Sequence, residues 1–183
     1  MRISYNAPFT LTFAFICVGV FILDQITGGR LIFHLFSVQP SMSWANPVSF
    51  IRLITHVFGH ISAEHLVFNL AIILLLGPML EQKYGLSTLI ILSVVVAAAT
   101  GAFTALLLPY GLLGASGIAF LLIILGSYTR ARSGAVPLTF IVVAVLFLGN
   151  EIWQSFTRDD NIAHFAHIIG GLVGGLYGHY RGR

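Results

Sequence analysis

The chain has 183 residues, of which 57% are hydrophobic and only 8% are charged. A soluble domain carries about 25% charged residues, so this deficit, with a mean hydropathy of +0.95, excludes an ordinary water-soluble domain and indicates a polytopic membrane protein. The net charge of +3 comes with no basic run that would read as a nucleic-acid surface, and the single Cys17 excludes an internal disulfide.

Six apolar runs are separated by charge, proline and glycine. At about 20 residues per crossing, they predict one all-α domain over 1–183 with six transmembrane helices. The first run covers 8–28. It follows Arg2 as a signal peptide would, but Asp24 to Arg30 offers no small-x-small cleavage site and the run is long for an h-region, so it reads as a retained span. The segment 29–61 is too broken by Pro40 and Pro47 to span. It is also too apolar to float in water, holding Leu31, Phe33, Phe36, Trp44, Phe50 and Ile54. A structured element lying in the membrane face is expected there.

The second span, 62–80, stops at Glu81-Gln82-Lys83-Tyr84-Gly85, and the third, 86–108, at Pro109-Tyr110-Gly111. The fourth, 115–129, is followed by Arg130 and Arg132. The fifth covers 136–154, and the sixth, 162–180, is closed by Arg181 and Arg183. With six spans both termini share a side, which carries Arg2, Lys83, Arg130, Arg132, Arg181 and Arg183 against Arg30, Arg52 and Arg158 opposite. Basic residues in short loops favour the cytoplasmic side. Cytoplasmic termini are therefore expected, with the start of span four toward the external face.

Polar groups inside a bilayer are costly and mark functional sites by default. His65 and Asn69, four apart on span two, share a helical face. Two such donors could converge on one developing anion, where a preorganised donor contributes about 3–4 kcal/mol, or they could hold helices together. His56, His60 and Glu64 lie nearby, but the spacing His-x-x-x-Glu-His matches no zinc-protease motif. Gly114-Ala115-Ser116-Gly117 opens span four. Small residues there fit close packing, and a serine at a helix start lies beside backbone N–H groups without intrahelical partners. On span six, His167, Gly171, Gly174 and Gly178 fall on one nearly bare face. A neighbouring helix can come close there, and if it is span four, His167 reaches Ser116. His164 is the rival base. Spacing supports neither Glu151 nor Asp24 as a third member, which leaves a Ser–His dyad.

Together these residues resemble the rhomboid family of intramembrane serine proteases. The resemblance rests on His65 and Asn69, on Gly114, Ser116 and Gly117, on Ala166, His167 and Gly170, and on Arg52 ahead of His56 and His60. It implies Ser116 as nucleophile and His167 as general base, with His65, Asn69 and the backbone at Ser116 as oxyanion hole. Gly114, Gly117, Phe120, Arg52 and His60 would be supporting residues. The first loop would be the family's membrane-embedded loop, span five its lateral gate, and Glu81 a structural acid closing span two. Ile51 stands where the family often has tryptophan, and Phe120 where tyrosine is common; phenylalanine can still stack on the histidine.

The expected activity is cleavage of a peptide bond in or beside a substrate's transmembrane helix, in a multi-pass protein of a prokaryotic plasma membrane. The partners would be transmembrane protein substrates and the lipid bilayer, with neither cofactor nor metal. The alternative is an inactive rhomboid-like protein that binds membrane helices. A bis-histidine haem or metal protein, suggested by seven histidines, is a further reading.

Overall fold

The computed structural model describes residues 3–40, 42–43, 45–128, 136, 138–157 and 164–181, with backbone alone at 147, 148 and 150–157. Arg2, Trp44, Arg130, Arg132, Arg158 and Arg183 lie outside the described residues, and Glu151 is described by its backbone only. The described residues form α1 (Pro8–Ile26), α2 (Leu31–Leu35), α3 (Pro47–Thr55) and a 3-10 turn (His56–Phe58). These are followed by α4 (Ala63–Tyr84), α5 (Leu86–Leu107), α6 (Ser116–Ser127), α7 (Leu138–Thr157) and α8 (His164–Arg181). Among them there is no strand, only an isolated antiparallel bridge between Val38 and Leu112.

Helices α1, α4 and α5 are long and apolar enough to cross a membrane. The start of α1 is fixed from outside itself. Its N-cap residue Ala7 makes no side-chain cap, so the first N–H groups need other acceptors. Glu81, near the end of α4, provides them. One carboxylate oxygen accepts from Phe9 N (2.8 Å), and the other from Thr10 N (3.1 Å) and Thr10 Oγ1 (3.0 Å). The acid therefore sits at the positive end of the α1 dipole and is 7% exposed. Gly77 lets the helices meet there, since a Cβ would stand 2.5 Å from Thr10 Oγ1. Glu81 was expected to be structural, and its role is to cap the first helix.

Gly85, at φ +87°, turns α4 directly into α5. The fourth apolar run, expected at 115–129, gives the shorter α6. Its 12 residues span about 18 Å, against about 30 Å of hydrocarbon. Tyr128 N bonds back to Leu125 O (3.1 Å) and Lys83 Nζ donates to Tyr128 O (3.1 Å), closing the helix. Ile118, Leu121, Leu122, Ile124 and Leu125 of α6 are all buried, so this helix is the centre of the core rather than a lipid-facing span.

The segment between α1 and α4 is ordered by local bonds. Asp24 caps α2 through Ile32 N (2.9 Å), and Arg52 Nε donates to His34 O (2.7 Å), tying α3 to α2. The α3 backbone rests on α5 at Gly101, where a Cβ would lie 2.5 Å from Leu53 O.

Replacing Glu81 with Ala strands two buried N–H groups, so it should destabilise the fold by about 3 kcal/mol. Glu81→Gln, which keeps an acceptor, should cost less. Unfolding midpoints in mild detergent check the order.

Candidate active site

Close helix approach governs the site. On α8, Gly170, Gly174 and Gly178 form the face turned to α6. A Cβ at Gly170 would overlap Gly117 O, one at Gly174 would lie 2.6 Å from Leu121 O, and one at Gly178 would strike the Tyr128 ring at 2.6 Å. The sequence pointed to Gly171 with Gly174 and Gly178; a straight i, i+4, i+8 row through Gly170 is what meets α6, and Gly171 is buried beside it. In return, a Cβ on Gly117 would lie 3.2 Å from Ala166 O. Ser116 and His167 thus flank a point where two backbones touch.

Both line one cavity of about 750 Å³, together with His65, Asn69 and Phe120. The His167 ring lies flat on Phe120, with centroids 4.3 Å apart and planes 1° from parallel. Phe120 is one turn beyond Ser116 on α6, so the stack sets the imidazole on the face that begins with the hydroxyl. The rival His164 is buried and meets His167 edge-on at 6.5 Å, but it does not line the cavity.

His65 is placed by the start of α4. Ser62 caps the helix by accepting from His65 N (3.1 Å). The imidazole then lies over the backbone of Gly114, where a Cβ would be 2.7 Å from Cε1 and 2.8 Å from Nε2. Gly114 also has φ +113°, a conformation that penalises any side chain. Asn69, one turn on, donates from Nδ2 to His65 O (3.0 Å). Its Oδ1 is buried with no protein partner, an arrangement that costs about 1–3 kcal/mol.

The segment before Ser116 is fastened to the first loop. Val38 and Leu112 exchange two backbone bonds (2.9 and 3.0 Å), and Gly114 N donates to His56 O (2.9 Å). His56 Nε2 faces Ala97 O at 3.1 Å; a carbonyl only accepts, so this nitrogen carries the proton. His60 is fully buried, donates from Nδ1 to Phe58 O (3.3 Å), and sets its ring edge-on to His65 at 5.0 Å. His60 therefore backs His65 rather than lining the cavity, and Arg52 is a half-buried tie within the loop.

Sequence reasoning missed the far wall of the cavity, built by Phe33, Ser37, Gln39, Pro40 and Ile61 of the first loop. The apolar character of 29–61 was the only signal, and it did not say which residues turn inward.

The Rhomboid domain family model matches residues 47–183, three quarters of the chain, and the chain belongs to the rhomboid family. It is 27% identical, over 93% of its length, to Rhomboid protease GlpG of Yersinia pestis (strain Pestoides F) and of Yersinia pseudotuberculosis serotype O:3 (strain YPIII). It is 26% identical over the same share to Rhomboid protease GlpG of Yersinia enterocolitica serotype O:8. In each case it spans 62% of the relative's length. With its apolar helices, the family makes this chain an integral membrane protein.

Burial pushes His56 down to about 4 against the pull of its Ala97 bond. It does the same to His60, helped by the nearby His65 and opposed by the Phe58 bond. Both folded values lie below the ordinary 6.5, so the unfolded chain binds more protons between pH 6.5 and 4. Stability should be full above pH 6.5 and decline as pH falls toward 4. Unfolding midpoints measured at steps between pH 7 and 4.5 should fall, and His56→Gln should flatten the slope.

Proposed function

We propose that the protein is an intramembrane serine endopeptidase. The observation that carries this reading is the shared cavity: a helix-start serine, a histidine stacked in place, and a second histidine with an asparagine all face one volume. Ser116 is the nucleophile and His167 its general base. The imidazole takes the hydroxyl proton as Oγ attacks a substrate carbonyl, then returns a proton to the leaving amine. The tetrahedral oxyanion is held by His65, by the second Asn69 N–H, and by backbone N–H groups at the start of α6. Water then attacks the acyl-enzyme with His167 again as base. Nothing in this sequence of steps requires a metal or cofactor.

The substrate is a transmembrane helix of another protein. A helical amide is shielded by its own hydrogen bonds, so the cut falls where glycine or small polar residues let the helix open. Six passes are proposed, with α6 the short one and both termini cytoplasmic in a prokaryotic plasma membrane. Because α6 is short, an end near one face leaves Ser116 about 10 Å below the other, reached by water through the cavity. Span five is the proposed lateral entry.

The second reading, an inactive helix-binding relative, is disfavoured by the stack of Phe120 on His167, since binding alone has no use for an oriented imidazole.

Incubation with a transmembrane reporter and a fluorophosphonate probe tests the assignment. Ser116→Ala should abolish cleavage and labelling. His167→Ala should reduce cleavage by at least about 10³-fold, whereas His164→Ala should retain most of it. Labelling that persists in Ser116→Ala overturns the nucleophile, and loss confined to His164→Ala overturns the base.

Gly114→Ala presses a methyl group into the His65 ring and strains φ. Cleavage should drop at least tenfold, mainly in kcat, in protein whose circular dichroism matches the parent.

A further inference from the structure

Separate from the cavity of Ser116, a second concavity lies between α1 and α5 under the 3-10 turn. Its volume is about 350 Å³. The α5 wall is Leu86, Ile90, Ser93, Val94 and Ala97, a single face over three turns. The α1 wall repeats the pattern from Pro8 to Ile16, and the inner end closes on Val57, Phe58 and Ile118. Leu86, Ile90, Val94 and Ile16 on its rim are 40–46% exposed, so it opens sideways along apolar helices, where a bilayer puts hydrocarbon.

Two further features specify what fits. The first is length. Leu86 to Ala97 is eleven steps along a helix, about 16 Å, which is close to half of the roughly 30 Å hydrocarbon thickness. The groove is one leaflet deep, and its outer end lies where α1 and α5 begin. The second is a change of chemistry at that end. A polar pocket of about 510 Å³ shares Pro8 and Leu86 with the groove and is lined by Asn6, Glu81 and Gln82. An apolar slot one leaflet deep thus continues into a polar mouth at the membrane face. Inside the slot, Ser93 Oγ is buried with no protein partner, an unusual state for a helical serine.

We propose that this groove and its mouth hold one bilayer phospholipid, with an acyl chain between α1 and α5 and a zwitterionic headgroup bearing a primary ammonium in the polar pocket. Among the described residues, the only formal charge lining the mouth is the Glu81 carboxylate, and no lysine or arginine lines it. An anionic headgroup finds no cation among those residues. A primary ammonium instead finds the charge of the Glu81 carboxylate, whose two oxygens already accept three hydrogen bonds from α1, and two amide oxygens to donate to, while the Asn6 and Gln82 amide N–H groups can donate to the phosphate. The proposal is independent of the peptidase reading, because the groove touches neither Ser116 nor His167.

The test is lipid retention by the full chain, purified in detergent and examined by native mass spectrometry after addition of phosphatidylethanolamine or phosphatidylglycerol. The parent should retain one phosphatidylethanolamine, at least threefold more than phosphatidylglycerol. Val94→Trp, which fills the groove from its exposed rim, should lower retention about tenfold. Ser93→Phe, which fills it from within, should do the same if its melting curve stays close to the parent's. Ile91→Trp, also exposed on α5 but outside the groove, should change nothing. Asn6→Ala with Gln82→Ala should erase the headgroup preference while a lipid is still held. Equal retention by the parent and Val94→Trp, equal loss in Ile91→Trp, or a preference for phosphatidylglycerol would each overturn the proposal. Reporter cleavage is not a readout, so failure here leaves the assignment of Ser116 untouched, and the reverse also holds.

Discussion

The contact on which the site depends is between two main chains. Gly170 of α8 lies against Gly117 O, and Gly117 lies against Ala166 O. No side chain larger than hydrogen fits at Gly170, and every residue on either helix takes its position from that closeness. In lipid the hydrophobic effect does not press helices together, because the tails outside are as apolar as the residues inside. Association then rests on van der Waals packing, which improves as backbones approach. The glycine row at 170, 174 and 178 extends this contact along α6 to Tyr128. The same closeness brings the residue before Gly117 and the residue after Ala166 onto one cavity.

A helix pair alone would leave the entrance to α6 loose. The loop before Ser116 has no regular structure to hold it, and it is held instead by the first loop. Val38 pairs with Leu112, and the His56 carbonyl takes the Gly114 N–H. The first loop is in turn anchored by Asp24 on α2, by Arg52 on His34 O, and by the seat of Leu53 on Gly101. Each tie joins backbone to backbone or a side chain to a backbone atom, so each fixes position without requiring a particular neighbour side chain. Buried backbone groups must be paired somewhere, and here their pairing also sets the geometry of the cavity wall.

The amino-acid pattern revealed more about which residues matter than about what each one touches. His65, Asn69, Ser116 and His167 stood out because polar groups in an apolar run are expensive, and all four line one cavity. The glycine face of α8 was readable by its spacing, yet the row is set through Gly170, because a four-residue repeat and a mixed repeat differ by only one position in a run of paired glycines. The length of α6 was overestimated. The helix ends at Ser127, and the carbonyl of its C-cap residue Tyr128 accepts from Lys83, 45 positions away. Glu81 reads as a polar stop after an apolar span, but its cap on α1 reaches back more than 70 residues, beyond any local pattern. The inward wall at Ser37 and Gln39 was invisible for the same reason, since it depends on how the first loop folds over α4 and α6.

The uneven polarity of the interior follows from these constraints. Leu80, Leu89, Leu121 and Leu125 form a dry core around α6 and leave its polar start to one end. At that end His60 Nε2 and Asn69 Oδ1 are buried with no protein partner, each at a cost of about 1–3 kcal/mol. A sequence selected for stability alone would have no use for them. They lie within one ring or one helical turn of His65, where a proposed oxyanion would need fixed donors, while His56 Nδ1 and Ser93 Oγ are buried without a protein partner elsewhere in the fold. Phe120 shows the opposite compromise: its ring keeps the stack on His167 and adds no hydroxyl that would itself need a partner. Orientation of the imidazole is thereby left to packing between α6 and α8, and under the proposed mechanism the reception of charge falls to His65 and Asn69 on α4.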